Sequence, residues 1–292
     1  MKKVNKNFID PPINLTVNRK PYRDIIQKLE MSKAWPGKAS GIYSSDTVTN
    51  QLKLLYKGKC AFCNQVSRGS VLQVEHFRPK AAITGTTLPG YYWLGYEWTN
   101  LLYACGNCNS TKGNYFDIRA GGVRYVNPFL PNPNHINLDN SKCFSRAIRD
   151  EKPLLVNPEV DDPSCHFAFA PSGMIVGLDD RGRYSIEKYD LNRTEVFTDG
   201  RKQILDEIVR KLVRKLERYT NGERSFKVVC KDVFDIVNDD LLIPIDQERT
   251  FDFFRYCVYR EHEKFILPRF GIEKQKNVLR YVFNKLHQGL SF

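Results

Sequence analysis

No uninterrupted apolar run in this 292-residue chain approaches the roughly 18–20 residues that cross a bilayer, so no membrane role is expected. The first residues, Met1-Lys2-Lys3-Val4-Asn5-Lys6, are basic but lead into Asp10-Pro11-Pro12 without an apolar core segment. No signal peptide is therefore expected, and the default compartment is the cytoplasm. Low-complexity segments are missing too. With 41% hydrophobic and 12% aromatic residues, the composition is that of a folded protein and excludes a disordered one. Acidic residues are in deficit, 33 against 45 Lys and Arg, and the net charge of +12 points to a polyanionic partner. Eight cysteines without a signal peptide argue against a disulfide framework and for metal binding by those that are paired in sequence.

The chain divides by pattern into three segments. Residues 1–48 read as an N-terminal arm with a Pro-rich lead (Pro11, Pro12, Pro21). A short amphipathic helix follows near Tyr22–Met31, with Ile25, Ile26 and Leu29 on one face, then a loop from Pro36-Gly37 to Ser45. Residues 49–130 carry the core. A helix over 49–60 ends at Gly58, a strand covers Val71–His76, and residues 81–99 form a Gly- and aromatic-rich loop (Tyr91, Tyr92, Trp93, Tyr96, Trp98). A second short strand over Leu101–Ala104 then leads into a helix beginning near Gly106. Residues 131–292 are a mixed region, helical at its end. Asn127-Pro128, Asn132-Pro133, Asn157-Pro158 and Asp162-Pro163 mark turns. Strands are expected at Phe167–Ala170, Met174–Leu178 and Tyr184–Ile186, and helices at 199–219, near 249–264 and near 272–288. In the first of these helices Ile204, Ile208, Leu212 and Leu216 form one stripe, flanked by Leu205, Val209 and Val213. The expected class is α+β.

The chemistry concentrates between residues 60 and 113. Cys60-x-x-Cys63 and Cys105-x-x-Cys108 supply four thiolates, the closed ligand set of a structural zinc site, and the 41 residues between them exceed a simple zinc ribbon. A folded insert is therefore stapled at both ends. Glu75, His76, Asn100, Asn109 and Lys112 lie within or just after it. A neutral imidazole can take a proton from water, and a hard divalent cation such as Mg²⁺ prefers one or two protein oxygens plus water. Glu75, His76 and Asn109 meet both needs. Adjacent strand residues point to opposite faces, so Glu75 and His76 can share a metal site only if the strand is irregular there. Asn109 and Lys112, three apart on a helix, share a face, and one can hold metal while the other meets phosphate. Residues 51–130 carry nine basic residues (Lys53, Lys57, Lys59, Arg68, Arg78, Lys80, Lys112, Arg119, Arg124) against Glu75, Glu97 and Asp117, and they stay basic even after the −2 of a zinc tetrathiolate.

Val74-Glu75-His76-Phe77-Arg78-Pro79-Lys80, Asn100-Leu101-Leu102 and Cys105-x-x-Cys108-Asn109-x-x-Lys112-Gly113 resemble the signature of HNH endonucleases. More narrowly, Cys60-Ala61-Phe62-Cys63, Glu75 to Lys80 and Tyr96-Glu97-Trp98-Thr99-Asn100-Leu101-Leu102 resemble the HNH subunit of Septu-type and retron-associated anti-phage systems. Asn157-Pro158, Asp161-Asp162-Pro163 and Asp190-Leu191-Asn192-Arg193 are similar as well. The resemblance implies a zinc-stapled ββα-metal core, with His76 as general base and Glu75 and Asn109 as ligands of a catalytic Mg²⁺ or other divalent cation. It implies that Asn100 holds the loop that orients His76 and that Lys112 contacts the scissile phosphate. It also implies an ABC/SMC-type ATPase partner, and a retron reverse transcriptase with its RNA–DNA as a further one. HNH proteins more often carry Asp where Glu75 stands, and Asn109 replaces the final His of the motif.

Arg78 and Lys80 flank the motif closely enough to be read as phosphate contacts. The aromatic residues 91–98 read as core. His135, His166, His262 and His287 read as structural, and a second metal site from Cys143 with Cys165-His166 lacks knuckle spacing. Cys230 and Cys257 read as buried hydrophobes, and the basic run Arg201, Lys202, Arg210, Lys211, Arg214, Lys215, Arg218 as a solvated face. The alternative to a nuclease of DNA or RNA is a zinc-stabilised module that binds nucleic acid or protein without cutting.

Overall fold

A computed structural model describes residues 1–36, 41–66, 72–131, 135–242 and 250–290, and the chain is α+β. Val71, Gly37 and the turn at Asn132-Pro133 lie outside the described residues. Contacts divide the chain into one unit of Met1–Phe167 with Gly177–Leu191 and another of Ala168–Val176 with Asn192–Phe292, a division different from the three expected segments.

In the first unit, α1 (Lys20–Ser32) buries Tyr22, Ile25, Ile26 and Leu29, and α2 (Asp46–Tyr56) buries Val48, Leu52 and Tyr56. Both helices end on a lysine in the left-handed region, Lys33 and Lys57, whose backbone N–H closes the last turn. The apolar face of the N-terminal segment is thus buried within this unit. Lys6, 7% exposed, donates to the carbonyls of Trp98 and Leu101 at 2.7 and 2.6 Å and pairs with Glu159 at 3.2 Å. Tyr56 donates to the same carboxylate at 2.5 Å. Burial pulls the Lys6 ammonium down and pushes the Glu159 carboxyl and the Tyr56 hydroxyl up, the cost of an ionic network in the interior.

Strands β1 (Leu72–His76) and β2 (Leu101–Cys105) pair antiparallel with Glu75 opposite Leu102 and His76 opposite Leu101, and α3 (Gly106–Lys112) follows directly. The connection between the strands is irregular apart from two short 3-10 turns, Tyr92–Leu94 and Trp98–Asn100. Tyr91, Tyr92, Trp93, Tyr96 and Trp98 are all buried. A side chain at Gly90, where φ is +84°, would meet the Ala81 carbonyl oxygen at 2.0 Å, so the loop needs glycine there on both counts. Helix α4 (Arg146–Arg149) follows in the same unit, with Ser145 accepting from the N–H of Ile148 as its cap.

A second small sheet pairs β3 (Phe167–Phe169) with β4 (Ile175–Gly177). The strand expected at Tyr184–Ile186 is instead inside α5 (Asp180–Lys188), because the Asp179 carboxylate accepts from Gly182 N–H and caps a helix across that short run.

The second unit is helical: α6 (Asp199–Thr220), α7 (Phe226–Val237), α8 (Asp252–Arg260), α9 (His262–Phe265) and α10 (Glu273–His287). Helix α6 buries Leu205, Ile208, Leu212 and Leu216, so Leu205 replaces Ile204 on the inward stripe. Arg201, assigned to a solvated face, is buried: it donates to the Gly173 carbonyl at 2.9 Å among the rings of Phe169, Phe197 and Phe251. Lys211, Lys215 and Arg218 pair with Asp240, Asp232 and Glu223. Cys230 and Cys257 are buried as expected. No helix among the described residues is long and apolar enough to cross a membrane.

Candidate metal centre and neighbouring cleft

The first knuckle is a tight turn. Asn64, at φ +59°, donates its N–H to Cys60 O at 3.0 Å, and the Cys60 N–H reaches Gln65 O at 3.1 Å. The turn is fastened to β2 by Ala61 N–H to Tyr103 O at 2.8 Å. The second knuckle spans the end of β2 and the first turn of α3. One sulfur each from Cys60, Cys63, Cys105 and Cys108 lies within 4.8 Å of every other, compatible with the sulfur spacing of about 3.8 Å around a tetrahedral zinc. None forms a disulfide. The four thiols act on one another through hydrogen bonds: Cys105 and Cys60 are pulled below the ordinary thiol range while Cys63 and Cys108 are pushed above it. Among the described residues this is the only such group, and Cys143 and Cys165-His166 form none. The donors and spacing fit a metal such as zinc.

Glu75, His76, Lys80, Asn109 and Lys112 line one cleft of about 500 Å³, with Tyr43 on its rim. His76 is the last residue of β1 and is 2% exposed. Its Nε2 lies 2.9 Å from the Gly95 carbonyl, and its Nδ1 lies 3.2 Å from the Lys80 ammonium. A carbonyl only accepts and an ammonium only donates, so both contacts are met by one neutral tautomer with the proton on Nε2. Burial, then the charge of Lys80 and that of Lys112, hold the imidazole well below its usual pKa, which agrees.

Asn100 ties the strand exit to the loop. Its Oδ1 accepts from Arg78 N–H at 2.8 Å, and its amide donates to the carbonyls of Arg78 and Leu94 at 3.1 and 3.2 Å. Gly95, whose carbonyl holds His76, is next in sequence to Leu94. On the helix, Lys112 donates to Glu75 Oε1 at 2.7 Å and to His76 O at 2.9 Å and is fully buried, so its ammonium sits in the floor of the cleft and not at its mouth. The Asn109 amide donates to Gln73 Oε1 at 3.0 Å, which leaves its Oδ1 as the atom a cation would take.

Arg78 does not reach the cleft. It is 5% exposed, and its Nε donates to Glu151 at 2.6 Å and its Nη2 to Ile148 O at 3.0 Å. The Glu151 carboxylate also accepts from the Tyr91 hydroxyl and from the Tyr125 N–H. Arg78, read from sequence as a phosphate contact, is held in an internal ion pair whose distant acidic partner no local motif reveals.

Trp35 and Tyr43, which the sequence did not single out, complete the wall around His76. The Tyr43 ring stands edge-on to the imidazole at 4.9 Å and Trp35 at 6.2 Å. A Cβ at Gly95 would meet the Trp35 ring at 2.1 Å, so that glycine admits the indole. The only sequence signal was aromatic residues in an otherwise small and polar loop.

No protein-family model matches the chain. It is 36% identical over 198 residues, 65% of its length, to the Septu protein PtuB of Bacillus mycoides (strain KBAB4), of which it covers 60%. It is 26% identical over 131 residues to the Septu protein PtuB of Bacillus thuringiensis, covering 47% of that protein. It also matches the Septu protein PtuA of B. mycoides, at 29% identity over 147 residues and 18% of that protein. The chain thus spans about half the length of the PtuB relatives it matches, and its likeness is to Septu proteins.

Proposed function

We propose that the chain is a metal-dependent HNH-type endonuclease that hydrolyses phosphodiesters of nucleic acid, the effector of a Septu-type anti-phage defence system. One observation carries the reading: a neutral imidazole, fixed by a backbone carbonyl at Nε2, turns Nδ1 into a cleft lined by a carboxylate and an amide oxygen. Nδ1 takes the proton of an attacking water. Gly95 and Asn100 keep the ring in that orientation, and Lys112 holds the Glu75 carboxylate in place. A divalent cation such as Mg²⁺, held by Glu75 and Asn109, would supply positive charge against the phosphate oxygens. The four cysteines would hold a structural zinc, which would fix β2 and α3, and hence Asn109 and Lys112, relative to β1.

The likeness to PtuB supports a defence role, and the likeness to PtuA supports a PtuA-like subunit, an ATPase by the resemblance, as partner. All three named relatives are Septu proteins, so this partner is preferred to a reverse transcriptase with its RNA–DNA. The test is cleavage of DNA and RNA by the zinc-loaded protein with and without added Mg²⁺, alone and with the PtuA-like subunit. Wild type should cut only with Mg²⁺, and His76→Ala should fold, bind its partner and not cut. Equal cleavage by His76→Ala removes the imidazole from the mechanism.

A second reading rests on the Glu75–Lys112 pair, which satisfies the cleft's carboxylate without any metal. A zinc-stabilised binding module would keep that pair and never cut. Nucleic-acid binding without cleavage under every metal and partner condition would favour it.

A further inference from the structure

Three cations border the His76 region, and they are held very differently. Arg78 and Lys112 are buried against the carboxylates of Glu151 and Glu75. Lys80 is half-buried, and among the described residues no carboxylate lies at ion-pairing distance from it, the nearest anion acting on it being Glu75 of the same cleft, which is already paired with Lys112. Its ammonium is held by the neutral His76 Nδ1 at 3.2 Å and by two aromatic rings, Tyr43 at 5.2 Å and Trp35 at 5.3 Å. Ring faces and a neutral acceptor are weaker partners for an ammonium than an anion is. A phosphate oxygen entering the cleft is therefore the better partner for Lys80 and for no other cation there.

The same contact has a cost for the base. Nε2 already carries the proton given to Gly95, so Nδ1 is the one lone pair His76 can offer, and Lys80 occupies it. We propose that Lys80 is a substrate-displaced gate: its ammonium caps His76 Nδ1 in the free protein, and the backbone phosphate of an incoming strand draws it away and frees the nitrogen. The proposal rests on the nuclease reading and adds to it a positioning residue that couples phosphate binding to exposure of the base. Trp35 and Tyr43 form the seat that keeps the ammonium at the ring when no anion is present.

The test reads the imidazole nitrogen directly. The full chain, zinc-loaded and ¹⁵N-histidine-labelled, is compared as wild type and Lys80→Met by imidazole nitrogen NMR. A short oligodeoxythymidylate is then added without any divalent cation. Free wild type should show Nδ1 at a hydrogen-bonded position and Lys80→Met at an unbonded one, and the oligonucleotide should carry the wild-type signal to the mutant position. Lys80→Met should bind the oligonucleotide about tenfold more weakly, with the slope of log Kd on log salt reduced by roughly 0.7, as for one lost single-strand phosphate contact. The gate is overturned if Nδ1 is the same in both free proteins, if it stays put when the oligonucleotide binds, or if both proteins bind equally. Cleavage with added Mg²⁺ is scored apart: its absence in wild type defeats the nuclease reading, whereas the resonance positions decide the gate.

Discussion

Lys112 Nζ lies 2.7 Å from Glu75 Oε1 and 2.9 Å from the carbonyl oxygen of His76, so one ammonium on α3 grips two successive residues of β1. The side chains of the pair are 1% and 9% exposed. Removing the cation alone leaves a buried carboxylate without its partner, which typically costs about 3–5 kcal/mol. Lys112→Met should lose about that much stability in urea unfolding, and the double variant Lys112→Met with Glu75→Gln should recover a substantial part. A loss below about 1 kcal/mol, the range of a surface pair, would show that the ammonium is free to leave Glu75 for a ligand.

Much of this arrangement was legible in sequence, and the limits of legibility have physical causes. The β-branched run ending at His76, the second strand before Cys105 and the helix after Gly106 show through local pattern. So do the four cysteines, because metal spacing is local within each knuckle. The positions of Arg78 and Arg201 were not legible, since each is buried by partners far away in sequence, Glu151 for the first and Gly173 with three aromatic rings for the second. Lys112 looked like a phosphate ligand because helical spacing gives the face but not the depth, and its true depth is set by β1. Helix α7, unforeseen, buries Val229, Cys230, Val233 and Val237, a helical stripe in a segment whose β-branched residues mask its period.

Arg78 offers a test that separates an internal cation from a phosphate contact. Its partner Glu151 is fully buried, so Arg78→Met should destabilise the fold by about 3–5 kcal/mol, as for any broken buried pair. Among molecules that remain folded at low temperature, the salt dependence of oligonucleotide binding should match wild type. A reduced salt slope with an unchanged unfolding midpoint would return Arg78 to the substrate.

A zinc held by the cysteine cluster would tie metal binding to folding in the first unit. Elemental analysis should find about one zinc per chain, as four thiolates in closed coordination require. Cys105→Ser should lose cooperative unfolding or solubility, because one of the four metal ligands is gone. Strong chelation of wild type should do the same and be reversed by zinc. A metal-free wild type that unfolds cooperatively at the usual midpoint would contradict the assignment.

His262 gives the second unit a pH dependence of known sign. The residue is 6% exposed and its ring stacks on Phe283 with centroids 4.1 Å apart. Burial, then the neighbouring His287, depress its pKa below the usual 6.5, against the opposing pull of Glu263 and the Tyr259 backbone. Below that value the unfolded chain takes up a proton that the folded chain refuses. Stability from this residue is therefore complete above about pH 6.5 and declines as pH falls towards the folded pKa, by at most about 1.4 kcal/mol per pH unit. Buried His76, depressed likewise, acts in the same direction, so the wild-type melting temperature should fall between pH 8 and 5.5 for two reasons. His262→Phe preserves a ring against Phe283 and removes one of them. Its melting temperature should fall less than that of wild type over the same range, and parallel curves would mean that His262 stays accessible to protons in the fold.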